Sequence, residues 1–550
     1  MVSKTSIKLD TSNGKIKVYN NRVYLKIKSE WDEKKKHSIK DRVCIGLIDT
    51  SDRTKFFPNN SYYEIFNKGK VELKEPGDID DYLHIGSYLA LKEAGEKCGA
   101  IKALKKIFPD TWEQILAFCI YIIDSRNSRS QGYEKWGFSN YSGLDFVLSS
   151  QGVSKLFASI SNTNIRDFLR EFKKTYKESN ISKIKLVLAF DSTNINTHSK
   201  NIELAEFGHP KKKEKLPIIS TAMGVDEVTG IPLFYEDIIG SLLDKTQLEE
   251  TSKKLKDLGY KNCFFIFDRG YYKSDCLDAI SSFSSFAIMV PDSVTTSFDY
   301  IKNNGFKIKD NENYFIKEEN AYGISGTSAS FLSKETNTYI YFDPDAQVLE
   351  KDTIHSKILH SEEALSDSAY SQKVADANDD YLITTKTKEN KFAFKENLAA
   401  IQRDIDFAGF FMAISNKKLK AGEMLQRLRK RDRAEKAFRN MKSQLDSEKS
   451  YCHGLATYTG RNFVIFFSLV LFLSFRYLER SMFKTDESST NDTTATVLGK
   501  ISKLIAYKNT HGTWNQKYAL TSSMKEILSN LDLTQTNISS FITKDLHQKF

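Results

Sequence analysis

The fold is decided between Lys185 and Val290, a stretch that opens KLVLAFDST (185–193), continues to CFFIFDRGY (263–271) and closes on FAIMV (286–290). Each apolar run is strand-sized and bounded by polar or turn residues. Ile218–Val225 and Ile231–Ile238 read as two further strands, Lys245–Leu258 as a helix and Ser274–Ser282 as another, with Gly224, Gly230 and Gly270 as punctuation. The order β-β-β-α-β-α-β predicts an α/β unit. Two of its strands run into aspartate, Asp191 and Asp268. The ends of strands in an open α/β sheet converge on a crevice, where such sheets hold their sites. The plainer reading of either aspartate is a turn or a helix cap. Two of them, on strands this topology can place side by side, weigh against it.

Outward from this unit, residues 296–405 are polar and aromatic with short alternating runs (Tyr314–Ile316, Thr338–Phe342, Tyr381–Thr384), which predict a β-rich insertion. The strand Gly409–Ile414 follows, then one long helix over Gly422–Leu445, an apolar helix at 463–475, a Ser/Thr/Asp-rich linker Thr485–Thr494 and a last helical segment. Upstream, 84–180 is helical without a decisive motif, and 1–80 alternates at period two as a small β-meander, with Lys34, Lys35 and Lys36 at one of its turns. The expected divisions are 1–80, 81–180, 181–295, 296–405, 406–480 and 481–550. No internal repeat is present.

A chain of 550 residues implies roughly three to four units. With 40% hydrophobic residues it can bury real cores, which excludes wholesale disorder. None of the six cysteines forms a C-x-x-C pair, so free thiols in a reducing cytosol are expected. The first 20 residues lack the apolar core of a secretory signal. Phe463–Phe475 falls short of the roughly 20 residues that span a bilayer, so it predicts a buried helix and no membrane partner. The expected location is cytoplasmic.

The formal charge is +10, from 81 Lys and Arg against 71 Asp and Glu. Lys417–Lys442 alone holds eleven cations and three acids, a net of +8, and Lys211–Lys215 is a smaller basic cluster. Counted from Met424 at about 100° per residue, Arg431, Glu435 and Lys442 share the face of Leu428 and Phe438. Charged groups turned inward are costly unless paired or metal-bound. The bland alternative is an internal ladder, since Arg431 and Glu435 are four apart. A basic helix with an inward carboxylate instead suggests a phosphate-contacting wall. Asp191, Asp268 and Glu435 then make the three carboxylates of a site for two Mg²⁺, with Mn²⁺ able to substitute.

At these residues the sequence resembles the DDE transposases of bacterial and archaeal insertion sequences, in the group with a β-rich insertion before the catalytic Glu. The matching pieces are Phe190-Asp191-Ser192-Thr193, GHPKKKEKLP at 208–217, Gly240-Ser241-Leu242-Leu243-Asp244, Phe267-Asp268-Arg269-Gly270-Tyr271, and the strand Gly409–Ala413. More weakly, Ile85-Gly86-Ser87 opens the helical segment. The family signature Y-x2-R-x3-E-x6-K falls on Leu428, Arg431, Glu435 and Lys442, with Leu428 departing from the Tyr and putting one contact to the element's end in doubt.

The resemblance implies a ribonuclease-H-like catalytic core, divalent metal on Asp191, Asp268 and Glu435, and Arg431 and Lys442 on end-DNA phosphates. It also implies binding of terminal inverted repeats, cleavage exposing a 3′-hydroxyl, joining to target DNA, and a homodimer on paired ends. An aspartyl-nucleophile phosphatase would want an acid at 193, and an aspartic protease a glycine; Thr193 stands there. The remaining alternative is a DNA-binding protein that has lost catalysis.

Overall fold

The computed structural model describes residues 6–549 apart from 13–14, 33–36, 67–81, 182–185, 209–215, 243, 329–330, 368–370, 378–379, 481–492 and 510. The Lys34–Lys36 turn, the Lys211–Lys215 cluster and most of the Thr485–Thr494 linker lie outside the described residues. The chain packs as two compact units: one of 1–186, 192–242 and 433–550, the other of 187–191 and 243–432. It is a mixed α/β protein.

In the second unit, Phe264–Phe267 pairs in parallel with Val187–Phe190 on one side and with Ser285–Ile288 on the other. All four residues of Phe264–Phe267 are buried, as expected for a parallel strand covered on both faces. Ser285–Met289 pairs antiparallel with Phe410–Ser415, which pairs with Thr336–Phe342, which pairs with Ala321–Ser328. The helix Ser274–Ser281 connects two of the parallel strands.

The 296–405 insertion is corrected here. Its hairpin Ala321–Phe342 extends the main sheet, and the 24-residue helix Pro344–Asp367 makes the stretch mixed instead of mostly β. The helix buries Ile354, Ile358 and Leu365 in a satellite core with Leu382 and Ile401. Its start was legible: the Asp343 side chain accepts hydrogen bonds from the backbone N–H groups of Asp345 and Ala346, with Pro344 at the first helical position.

In the first unit, the N-terminal sheet has the order Ile7–Lys8, Lys55–Pro58, His37–Ile48, Arg22–Asp32, Ile16–Tyr19, around a core of Val23, Ile45 and Phe56. Helices Gly86–Lys97, Trp112–Ser125 and Ser150–Ser159 pack on the 26-residue helix Leu455–Arg480, in which Phe463–Phe475 is wholly buried. Among the described residues this is the one helix long and apolar enough to cross a membrane, and 83% of its most apolar window is buried within the protein. Its Gly460 has no alternative in size, since a Cβ there would lie 1.9 Å from the Phe157 carbonyl oxygen.

Gly86 is held the same way, 1.9 Å from a Cβ position to the Ile501 carbonyl. The C-terminal region, expected to be helical, also contributes strands Ile505–Lys508 and Trp514–Gln516, which join Tyr82–His84 in a three-stranded sheet. Strands of three or four residues are too short to show period-two alternation.

Candidate active site

Asp191 lies inside an 11-residue strand, Val187–Thr197, so it does not follow a strand end as the apolar run suggested. Pairing with Phe264–Phe267 nevertheless stops at Phe190↔Phe267. Asp191 and Asp268 are therefore the residues that follow the last pair of two adjacent parallel strands, on one side of the sheet by alternation. Asp191 is mid-strand and so is neither a cap nor a turn residue, whereas Asp268 does hold the N-cap position of the short turn Arg269–Tyr271: its carbonyl accepts from the Tyr271 N–H at 3.0 Å, but its side chain makes no cap hydrogen bond.

Aromatic contacts hold the two strand ends. The Phe190 ring meets Phe267 and Tyr271 edge-on, each at 5.5 Å between centroids. Such pairs add about 0.5–1.5 kcal/mol beyond burial and restrict rotamers. The carboxylate of Asp268 is ion-paired with Arg431, Nη1 to Oδ1 at 2.7 Å, with side chains 35% and 26% exposed.

The long helix expected over 422–445 is two helices, Ala421–Arg429 and Asp432–Gln444. The break falls where Arg427, Arg429, Lys430, Arg431 and Arg433 crowd five like charges into seven residues, at spacings that repel on a helix. The N–H of Arg431 donates to Leu428 in a tightened last turn, and Asp432 then opens the second helix at its positive end.

The break resets the helical phase. Met424, Leu425 and Leu428 are buried in the first helix, whereas Ala434, Ala437, Phe438 and Met441 are buried in the second, a stripe displaced by roughly a third of a turn on a continuous count. Glu435 is consequently exposed, not turned inward as the unbroken count predicted; Arg431 and Lys442 are half-buried.

The basic wall is also more differentiated than its charge count. Arg427 pairs with Glu423 and lies 4.7 Å over the Phe264 ring, and Arg429 bridges Glu319 and Asp343 at 2.9 Å each. These cations are committed to ion pairs within the protein, so only part of the net +8 is left for any partner. Sequence spacing carried no signal for the Arg429 bridge, whose acids lie about 90 and 110 residues upstream.

Two motif glycines meet backbone to backbone. A Cβ on Gly208 would lie 2.1 Å from the Gly240 carbonyl oxygen, and one on Gly240 would lie 1.8 Å from that of Ile218. Gly208 and Gly240, from two different motifs, are thus two sides of one close approach.

Asp191 and Asp268 belong to the second unit, and Glu435 to the first. Among the described residues no group of three His, Cys, Asp or Glu is gathered closely enough to hold a metal ion. The two aspartates offer adjacent hard-oxygen donors of the kind Mg²⁺ prefers, so this pair fits a divalent cation as far as it goes.

Adjacent carboxylates on neighbouring parallel strands of a mixed sheet, with an arginine on one of them and a basic helix pair following, define an α/β protein with a carboxylate-bearing site. Residues 182–471, more than half of the chain, match the family described as the transposase DDE domain. The chain belongs to that family: it is a transposase, of a class that generally uses divalent metal ions. No curated protein matches it in sequence. The structure of a piggyBac transposase synaptic complex with hairpin DNA aligns over 84% of this chain and 84% of that one, at 9% identity and a TM-score of 0.36. At that distance the alignment transfers no residue roles.

Proposed function

We propose that this transposase binds the terminal inverted repeats of its own insertion sequence, cleaves the ends by Mg²⁺-dependent phosphodiester hydrolysis and joins the 3′-hydroxyl to target DNA. The observation that carries the reading is the register Phe190↔Phe267, which brings Asp191 and Asp268 to neighbouring positions. The strand order around them supports a ribonuclease-H-like core: three parallel strands, with the antiparallel hairpin Ile218–Ile239 following the Asp191 strand.

In this reading Asp191, Asp268 and Glu435 would hold two Mg²⁺, and Arg431 and Lys442 would hold end-DNA phosphates. Bound there, the metal would supply positive charge for the attacking and leaving oxygens of the phosphodiester. The aspartates present their oxygens from strand ends fixed by Phe190, Phe267 and Tyr271, which limits reorganisation when substrate arrives. A homodimer on paired ends completes the proposal.

Asp191→Asn is the test. It should abolish Mg²⁺-dependent nicking at the element's ends and leave DNA binding largely intact. Wild-type protein that binds the ends but never cuts them, under Mg²⁺ or Mn²⁺, would favour the catalytically inactive DNA-binding alternative.

A further inference from the structure

Three segments of the first unit, remote in sequence, are tied into one exposed face that none of the DDE motifs includes. Lys449–Ser450 pairs in parallel with Asn196–Thr197, and the Ser199 hydroxyl donates to the His453 carbonyl at 2.8 Å. The loop 126–130 is anchored beneath by Ser128, whose hydroxyl donates to the Asp446 carbonyl and accepts from Arg461 Nη2, at 2.7 and 2.8 Å.

On this scaffold Arg129 lies over the exposed Tyr451, its guanidinium carbon 4.7 Å from the ring centroid and its Nη2 donating to the phenol oxygen at 3.1 Å. Arg126, Arg129 and Lys200 are exposed and form no ion pair among the described residues.

Beneath the face, the Arg461 side chain is buried at 4% exposure. It donates to Ser128 and to the Lys449 carbonyl, while its Nη1 has no hydrogen-bond partner. No carboxylate lies within ion-pairing distance of it among the described residues. A carboxylate is reached only through Ser128, whose N–H donates to Asp446 Oδ2 at 3.5 Å. A buried charge without a direct ion-pair partner is costly, and in a medium of low dielectric its field reaches the surface above it. A polyanion on that surface offsets the cost.

We propose that this face, carrying Arg129 and Lys200, grips the phosphate backbone of duplex DNA, as a site additional to the carboxylate centre. An arginine already held over an aromatic ring and hydrogen-bonded to its phenol oxygen has lost much of its side-chain freedom before binding, and its planar fork matches phosphate oxygens. Asn196, where the face begins, lies on the same strand as Asp191 and five residues further along it. DNA held here is positioned by its backbone and not read by sequence. The inference rests on the transposase reading above.

The test uses full-length protein, a labelled 30-base-pair duplex of arbitrary sequence and a salt series. Each lost phosphate contact lowers the slope of log K against log salt by about 0.9. Arg129→Gln and Lys200→Gln should each lower it by about one and the double variant by about two, with binding at about 0.1 M salt weakened on the order of tenfold.

Lys395→Gln, on the hairpin of the other unit, controls for loss of charge in general. A double variant that melts like wild type but has the slope of Lys395→Gln would overturn the proposal. So would Arg129→Gln changing the oligomeric state with the DNA slope unaltered, which would assign the face to a second copy of the chain. Wild-type protein that binds no duplex at all would instead remove the transposase reading on which the proposal stands.

Discussion

Arg431 Nη1 sits 2.7 Å from Asp268 Oδ1, so one of the two adjacent aspartates is already ion-paired with a guanidinium from the helix break. A cation binding Asp268 competes with that guanidinium for Oδ1 and for the charge of the carboxylate. The pair is partly exposed and its strength is limited to about 1 kcal/mol by solvent screening.

Arg431→Gln should therefore tighten Mn²⁺ binding to the DNA-free protein on the order of fivefold, the equivalent of that energy. Titration followed by Mn²⁺ electron paramagnetic resonance reads this directly. Unchanged or weaker binding would show that the ion pair does not compete with metal.

Asp343 joins two devices: Oδ1 caps the helix Pro344–Asp367, and Oδ2 accepts from Arg429 Nη2 at 2.9 Å. Asp343→Ala should cost about 1–2 kcal/mol, from the lost cap and a partly exposed ion pair. Hydrogen exchange would show faster exchange at the first turn of that helix and at 427–431. Protection unchanged at both places would refute the shared role.

Gly460→Ala, in the 26-residue helix Leu455–Arg480, would place a Cβ 1.9 Å from the Phe157 carbonyl oxygen, backbone against backbone, in the core. The helices Ser150–Ser159 and Leu455–Arg480 must then separate, at a cost of about 1–3 kcal/mol. Urea unfolding measures it. A loss below about 0.5 kcal/mol, the usual range for surface substitutions, would mean that this contact is not tight.

The thiols of Cys98 and Cys119 are pushed up by burial, to about 11 and about 12. In the unfolded chain they ionise near pH 9, so between about pH 9 and 12 the unfolded state binds fewer protons and native stability falls as pH rises. Thermal melts at pH 8 and 10 should show a drop that shrinks in the Cys98→Ser, Cys119→Ser variant compared with its own value at pH 8. In native protein at pH 8, a thiol reagent should label Cys44 first, since it is half-buried and the other five cysteines are buried. Early labelling of Cys98 or Cys119 would contradict the packing.

The α/β reading came from local chemistry. Runs such as KLVLAF and CFFIF are too apolar for a surface and too short for a helix, and their order with the intervening helices could be read without a fold. That an aspartate follows each run was legible for the same reason, although Asp191 lies inside its strand and not at the end of it. So was the buried character of Phe463–Phe475, where length decided.

What local pattern could not reach was which strands are neighbours and where a periodic segment changes phase. The hairpin Ala321–Phe342 looked like part of a separate insertion because its partner strand, Phe410–Ser415, lies about 70 residues further on. Only tertiary pairing puts it in the main sheet. Glu435 was expected on an inward face because 100° per residue was carried through Lys430 and Arg431. Like-charge crowding there, together with Arg429 and Arg431 reaching distant acids, breaks the helix and turns Glu435 outward.

The chain by itself thus determined the strands, their order and the aspartates, because these follow from side-chain polarity over a few residues. Tertiary structure decided the Asp191–Asp268 register, the phase of the Glu435 helix and the cationic face around Arg129, because each depends on contacts between residues far apart in sequence.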